Sequence, residues 1–298
     1  MRLPTVLLPL GLLFAGCQSS SGLNGDSLCG PGGTLRVGYV GAVEGEARDA
    51  AQLIRSSDLE RMRTLLTVAS RCQVEFEPLL SPERARQRLQ EDGWDLAFLP
   101  PGLTALAMQR SGGGQPVRRL MQRNRSRSAL LVSSESQFRT VKDLKGQRLG
   151  LLPRGSLTGF YLPLYNLHGL QLKQVRYAIS YDGLLELLRS GSVDVIAWDA
   201  GLPSPGGDVR VLAEDSHAIP SGSMVFSQAL VLADHTSLLA SLDASAAEMP
   251  EDLGYVAEFP PVPQAYQDLR QIVRHVESWS LPQDGFAYTV YGSTAEVQ

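Results

Sequence analysis

The chain has 298 residues, with 31 acidic against 27 basic side chains and a formal net charge of −4. That balance argues against a nucleic-acid-binding protein, which needs a concentrated positive surface to neutralise phosphates. The four histidines (His168, His217, His235 and His275) are scattered and no CxxC or Cys/His cluster exists, so neither a metal centre nor a cofactor is expected.

Arg2 is followed by an apolar run from Leu3 to Leu13, broken only by Pro4, Thr5, Pro9 and Gly11. It is too short to span a bilayer and reads as the hydrophobic core of a secretory signal. The run ends in Leu13-Phe14-Ala15-Gly16-Cys17 before the polar stretch Gln18-Ser19-Ser20-Ser21-Gly22. Ala-Gly-Cys in that setting is similar to a bacterial lipobox, which implies that Cys17 is lipidated and becomes the mature N-terminus. The alternative is an ordinary cleaved signal with an incidental cysteine. Residues 1–16 are thus expected to be a signal peptide and 17–33 a flexible linker. The rest is expected to be periplasmic, or more generally extracytoplasmic, and tied to the membrane by the N-terminal lipid. In an oxidising compartment Cys29 and Cys72 either form a disulfide or remain two thiols, with Cys72 buried.

Past the linker, apolar β-type runs alternate with helical patterns. Residues 34–40 form a first strand, and 47–70 are helical in period, with Leu53, Leu59, Met62, Leu65, Leu66 and Ala69 recurring every three or four positions. Residues 74–78 alternate as a strand. Ser81-Pro82 starts a helix, with Ser as cap and Pro at the first helical position. Residues 94–99 read as a buried parallel strand, ending at Pro100-Pro101-Gly102. After the turn at 111–116, residues 117–133 are one long extended stretch. A second α/β unit then begins at Thr140, with strands near 148–151, 174–178 and 193–198 and helices at 159–168 and 182–189. Residues 209–212 and 225–232 lead back to a last helix near 265–279, and the tail after Gly285 is expected to be extended or loosely held. The alternation predicts an α/β fold of two parallel-rich lobes, the second inserted in the first and joined to it by two hinge crossovers. The expected division is 34–116 for the first part of lobe one, 117–214 for lobe two, and 215–298 for the return to lobe one and the C-terminal helices.

Three segments carry a resemblance. Residues 143–159 read Asp-Leu-Lys-Gly-Gln-Arg, a buried strand, then Gly155-Ser156-Leu157-Thr158-Gly159; residues 93–101 read Gly-Trp-Asp-Leu-Ala-Phe-Leu-Pro-Pro; residues 190–195 read Ser-Gly-Ser-Val-Asp-Val. In this order they resemble the periplasmic phosphate/phosphite/phosphonate-binding proteins of ABC transporters, a two-lobed solute-binding family. The resemblance covers roughly residues 34–226. It implies capture of a small phosphorus oxyanion (phosphonate, phosphite or phosphate) in a cleft that closes on it, and delivery to an ABC permease. Two departures stand out. The family's loop reads Ser-Thr-Ser-Gly, so Leu157 replaces one hydroxyl. Tyr181 stands where the family has a histidine, and tyrosine offers a hydrogen bond but no charge at neutral pH.

Ser156 and Thr158 are the leading anion ligands, since hydroxyls and free N–H groups at a helix start favour anions; the competing reading is plain helix capping. Gly155 and Gly159 let the backbone approach closely or serve only as turn residues. Tyr39 and Phe98 end two strands and are either cleft walls or core. Tyr181 and Asp182 follow a strand end, Asp182 otherwise being the cap of its helix. Arg154 and Asp199 flank the loop and an inner strand, Arg154 otherwise being a solvated arginine. Arg118, Arg119, Arg123, Arg125 and Arg127 form either a positive rim or ordinary surface. Glu44 and Glu46 have no partner base or nucleophile, and Ser156 and Thr158 lack a local histidine, so an enzyme is not expected. The alternative function is a two-lobed sensor or orphan binding protein for another small anion, uncoupled to transport.

Overall fold

The computed structural model describes residues 28–41, 53–109, 113–121 and 125–291. The signal peptide, Cys17, most of the linker, Glu44, Glu46 and Arg123 lie outside the described residues.

The first sheet has a parallel core in which β1 (Thr34–Tyr39) lies between β2 (Gln73–Pro78) and β3 (Leu96–Leu99). β11 (Gly222–Phe226) adds to β3 antiparallel, followed by β4 (Gln115–Leu120) and the short β12 (Tyr255–Val256). The second sheet repeats the plan. β6 (Arg148–Leu151) runs parallel between β8 (Gln174–Tyr177) and β9 (Val195–Asp199), and β5 (Ser128–Ser133) and β10 (Val209–Glu214) follow antiparallel. The chain crosses between the sheets twice, from β4 to β5 and from β10 to β11.

Each lobe fixes its inner strands with the same device. The Arg36 N–H donates to Asp95 Oδ2 at 2.8 Å, while its Nε and Nη2 donate to Oδ2 and Oδ1 at 3.1 and 2.7 Å. The Asp95 N–H returns to the Arg36 carbonyl at 2.9 Å. In the second lobe the Arg148 N–H donates to Asp194 Oδ2 at 2.8 Å, its Nε and Nη2 to Oδ2 and Oδ1 at 2.9 and 2.6 Å, and the Asp194 N–H to the Arg148 carbonyl at 2.9 Å. Each carboxylate takes a charge-assisted fork and a backbone donor.

Helices cover the faces. α1 (Ser56–Ser70) and α7 (Thr236–Ala244) press Met62, Leu66, Leu238 and Leu242 onto one side of the first sheet. α2 (Pro82–Gln90) and α3 (Pro101–Ala107) lie on the other side. α2 starts where Ser81 accepts the Arg84 N–H, with Pro82 first in the helix. In the second lobe α5 (Tyr181–Arg189) packs Leu184, Leu185 and Leu188 against Ile196 and Trp198. α4 (Leu162–Asn166) covers the opposite face. α8 (Gln267–Glu277) carries Leu269, Ile272, Val273 and Val276 at helical spacing and touches both α3 and α4. One continuous core therefore runs from Leu99 and Leu103 of the first lobe to Leu151, Leu157 and Phe160 of the second.

Two expectations need correction. The stretch 117–133 is not one extended segment: Val117–Leu120 belong to β4 in the first sheet, so the chain leaves that lobe after residue 120 rather than 116. Of residues 225–232, Val225 and Phe226 end β11, and Ser227 Oγ accepts the Leu230 N–H to start α6 (Gln228–Leu232). After Gly285 the described residues are extended, as one alternative had it: β13 (Tyr288–Thr289) pairs with β7 (Gln171–Leu172), and the Gly169 N–H donates to the Val290 carbonyl. The last described residues thus lie on the second lobe, although residues 215–298 are expected to return to the first.

Cys29 and Cys72 are joined in a disulfide, tying the start of β1 to the end of α1 across 43 residues. Replacing both with Ser is expected to lower unfolding free energy by about 2–4 kcal/mol in urea melts under non-reducing conditions. The second-lobe clamp gives a pH signature. The Arg148 hydrogen bonds hold the Asp194 carboxyl below its ordinary value, so the clamp's contribution is complete above the unfolded aspartate pKa and fades as pH falls through the lowered folded value. Asp194→Asn should cost roughly 1.5–3 kcal/mol near pH 7, and the deficit relative to wild type should shrink on acidification below about pH 4.

Candidate ligand-binding site

The loop after β6 is shaped by Pro163. Lacking an N–H, it leaves carbonyls one turn earlier without a helical donor, and the chain there forms a π-turn, Leu157–Tyr161, before α4. Two distant groups fill the gap: Ser128 Oγ donates to the Thr158 carbonyl at 3.3 Å and the Leu152 N–H to the Gly159 carbonyl at 3.0 Å. The helix expected at 159–168 is therefore a π-turn plus five α-helical residues. Ser156 Oγ accepts the Gly159 N–H at 3.0 Å, which is the capping role; its own O–H remains a donor. Ser156 and Thr158 are buried. Gly155 has φ +111°, and a Cβ there would lie 2.4 Å from the Pro82 carbonyl oxygen at the head of α2. A Cβ on Gly159 would lie 2.6 Å from Leu152. Both glycines are thus required by packing, Gly155 at the contact between the lobes.

The structure brings Thr158 and Tyr181 together, their hydroxyls hydrogen-bonded in the interior at the start of α5. The other candidates lie elsewhere. Tyr39 and Phe98 are core, not cleft wall: their rings pack tilted, with centroids 6.0 Å apart, on the α1–α7 face, and Phe76 lies 5.7 Å from Tyr39. Burial pushes the Tyr39 hydroxyl well above its usual pKa. Asp182 is exposed in the first turn of α5, and the cap is Ser180, whose Oγ accepts the Gly183 N–H. Asp199 Oδ1 is committed to the Arg127 and Gly201 N–H groups, at 3.0 and 2.8 Å, pinning the first crossover to β9. Of the basic cluster, Arg118 pairs with Asp243 and Arg127 with Glu214, which leaves less of a positive rim than the sequence offers.

Arg154 is not a solvated arginine. Glu277, at the end of α8, accepts from Arg154 Nε at 2.8 Å, from Arg154 Nη2, from the Tyr161 hydroxyl at 2.5 Å and from Arg86 Nη1 of α2 at 3.5 Å. These groups come from both lobes and the C-terminal helix, and all are largely shielded from solvent. Burial and the nearby carboxylate push the Tyr161 hydroxyl well above its usual pKa, so it stays a donor. The knot escapes sequence reading because Glu277 lies 116 to 191 residues from its partners. Glu277→Ala leaves two shielded guanidiniums without their carboxylate. It is expected to cost about 3–5 kcal/mol in chemical denaturation, far more than the same change at exposed Glu60.

The sequence of residues 56–265 matches the family model described as ABC transporter, phosphonate, periplasmic substrate-binding protein. No curated protein matches the sequence. Among solved structures, PhnD1 from Prochlorococcus marinus in complex with methylphosphonate is similar with a TM-score of 0.61 at 14% identity, over 82% of this chain and 98% of that one. A Xanthomonas citri protein bound to ATP gives 0.61 at 14% identity over 82% and 98%. A binding component of an ABC phosphonate transporter from Pseudomonas aeruginosa gives 0.59 at 16% over 80% and 85%. At these identities the likeness is one of fold, and it shows the two-lobed periplasmic binding architecture. The family match covers most of the chain, and the chain belongs to the periplasmic substrate-binding proteins of phosphonate ABC transporters.

Proposed function

We propose that this chain captures a small phosphorus oxyanion, phosphonate, phosphite or phosphate, between its lobes and presents it to an ABC permease. The observation that carries the reading is the set of buried hydroxyls made by Ser156 and Thr158 on the loop after β6 and Tyr181 at the start of α5, inside the region that matches the family. Hydroxyls of this kind donate charge-assisted hydrogen bonds to an oxyanion. Gly155 and Gly159 bring the backbone close. The related folds that hold methylphosphonate and ATP support a phosphorus-oxygen ligand. Closure about the two crossovers would enclose the anion. In the same reading Cys17 carries a lipid that keeps the protein at the extracytoplasmic membrane surface beside the permease; among the described residues no helix is long and apolar enough to cross a membrane.

Leu157 favours a second reading. It is buried in the core that runs between the lobes, where the resemblance calls for a third hydroxyl, and a poorer donor set suits another small anion, with the protein acting as a sensor rather than a transport receptor. A thermal-shift screen over methylphosphonate, 2-aminoethylphosphonate, phosphite, phosphate, sulfate and organic anions separates the two. A ligand at a hundred times its Kd adds about 2.7 kcal/mol, and silence toward every phosphorus oxyanion would sink the first reading.

The loop itself is tested by Ser156→Ala with Thr158→Ala. At roughly 1.5–3 kcal/mol for each charged hydrogen bond, affinity is expected to fall on the order of a hundredfold or more. The ligand-free protein should lose only about 1 kcal/mol, the cost of a missing cap. A loop that serves only as a cap gives the reverse, lost stability with unchanged affinity, in paired calorimetric titration and melting.

A further inference from the structure

We infer that the cleft between the two crossovers is a second binding site, for a small organic anion with an apolar body. Its volume is about 760 Å³, within the range of pockets that hold small ligands. Arg119, Met121 and Arg125 line it from the first crossover, Ile219 from the second, and Val262 and Tyr266 from the connection to α8. None of residues 153–159, Tyr181 or Asp199 lines it, so it is distinct from the loop described above.

The charges in this cleft do not cancel locally. Arg127 is paired with Glu214 at 3.2 Å. Asp215 is taken by the His217 ring and N–H and by Asn166 Nδ2 at 2.7 Å. The Arg119 guanidinium donates to the Pro260 carbonyl, and neither it nor the exposed Arg125 has an acidic partner among the described residues. Two guanidiniums without carboxylates select an anion, and their fork geometry suits carboxylate, sulfonate or phosphate. Beside them Met121 and Val262 are 51% and 53% exposed, against a wall formed by buried Tyr266. Large apolar side chains left open next to cations fit a ligand with an apolar body and one charged end.

The placement has a mechanical side. Arg119 belongs to β4 of the first lobe. The Arg125 carbonyl sits against Gly201 of the second, where a Cβ would come within 2.5 Å. The two cations are thus carried by different lobes.

The probe is 1-anilinonaphthalene-8-sulfonate, titrated into the protein by fluorescence. One saturable site is expected, weakened at least tenfold in Arg119→Ser/Arg125→Ser. Arg119→Lys/Arg125→Lys, which keeps the charge, should retain most of the affinity, and circular dichroism checks that each variant is folded. N-phenyl-1-naphthylamine, the same rings without the sulfonate, should bind at least tenfold more weakly. The Ser156→Ala/Thr158→Ala protein should bind the probe like wild type. Equal binding of the neutral and anionic probes, unchanged sulfonate binding in the double serine variant, or loss of binding in the loop variant would each overturn the proposal. None of these measurements depends on whether a phosphorus oxyanion binds at the loop.

Discussion

Two arginine–aspartate clamps hold the parallel strands of this molecule in register, and the loop that faces the other lobe hangs from one of them. In each lobe an arginine opens an inner strand, or lies two residues inside it, and an aspartate precedes the neighbouring strand. Carboxylate and guanidinium close a fork while the backbone exchanges two more hydrogen bonds. A parallel pair has no hairpin to set its alignment, and a slip of one residue would turn every side chain to the opposite face. The clamp supplies that alignment locally. It also explains why Asp95 and Asp194 sit in the segments that resemble the family: both carboxylates have their acceptor capacity taken up by the fold, which removes them from the list of ligand groups.

The alternation of strands and helices was legible because it rests on local signals: the Ser81-Pro82 start, the apolar period of α1, the Gly and Pro turns. Two lobes followed from the return of the α/β pattern after Thr140. The side of the sheet that each residue faces was not legible. Residues 37–40 are apolar without a break, and a strand buried on both faces gives no parity signal. Tyr39 thus belongs to the α1–α7 core while Val40 belongs to the core between the lobes. Without parity the aromatic residues at strand ends could be cleft wall or core, and the structure places Tyr39 and Phe98 in the core.

Loop chemistry was half legible. Hydroxyls and glycines marked the segment 155–159, but the π-turn depends on Ser128 taking a carbonyl that Pro163 cannot serve, an interaction across 30 residues. The Tyr181 hydroxyl likewise reaches Thr158 across 23. Sequence spacing carries no information on contacts of that kind, because they are set by how strands β5, β6 and β9 lie side by side. The Ser156 hydroxyl shows how a cap leaves a group half used: its lone pair holds the turn, and its proton is not consumed by that bond.

The Glu277 knot alters how closure should be understood. Arg86 comes from the first lobe, Arg154 and Tyr161 from the second, and the carboxylate from a helix that leans on both. With Gly155 against Pro82, the lobes already share polar and packing contacts that involve no ligand. A ligand shifts such an equilibrium only by its differential affinity for the two arrangements. Contacts that favour the closed one in advance reduce the fraction of binding energy diverted to closing and raise the apparent affinity. They also narrow the difference between empty and loaded protein that a permease can sense. The knot holds two guanidiniums and one carboxylate, an excess of one positive charge next to the loop that Arg154 leads into. The contacts that join the lobes and the net positive charge beside the loop are therefore built from the same residues, and neither can be tuned without changing the other.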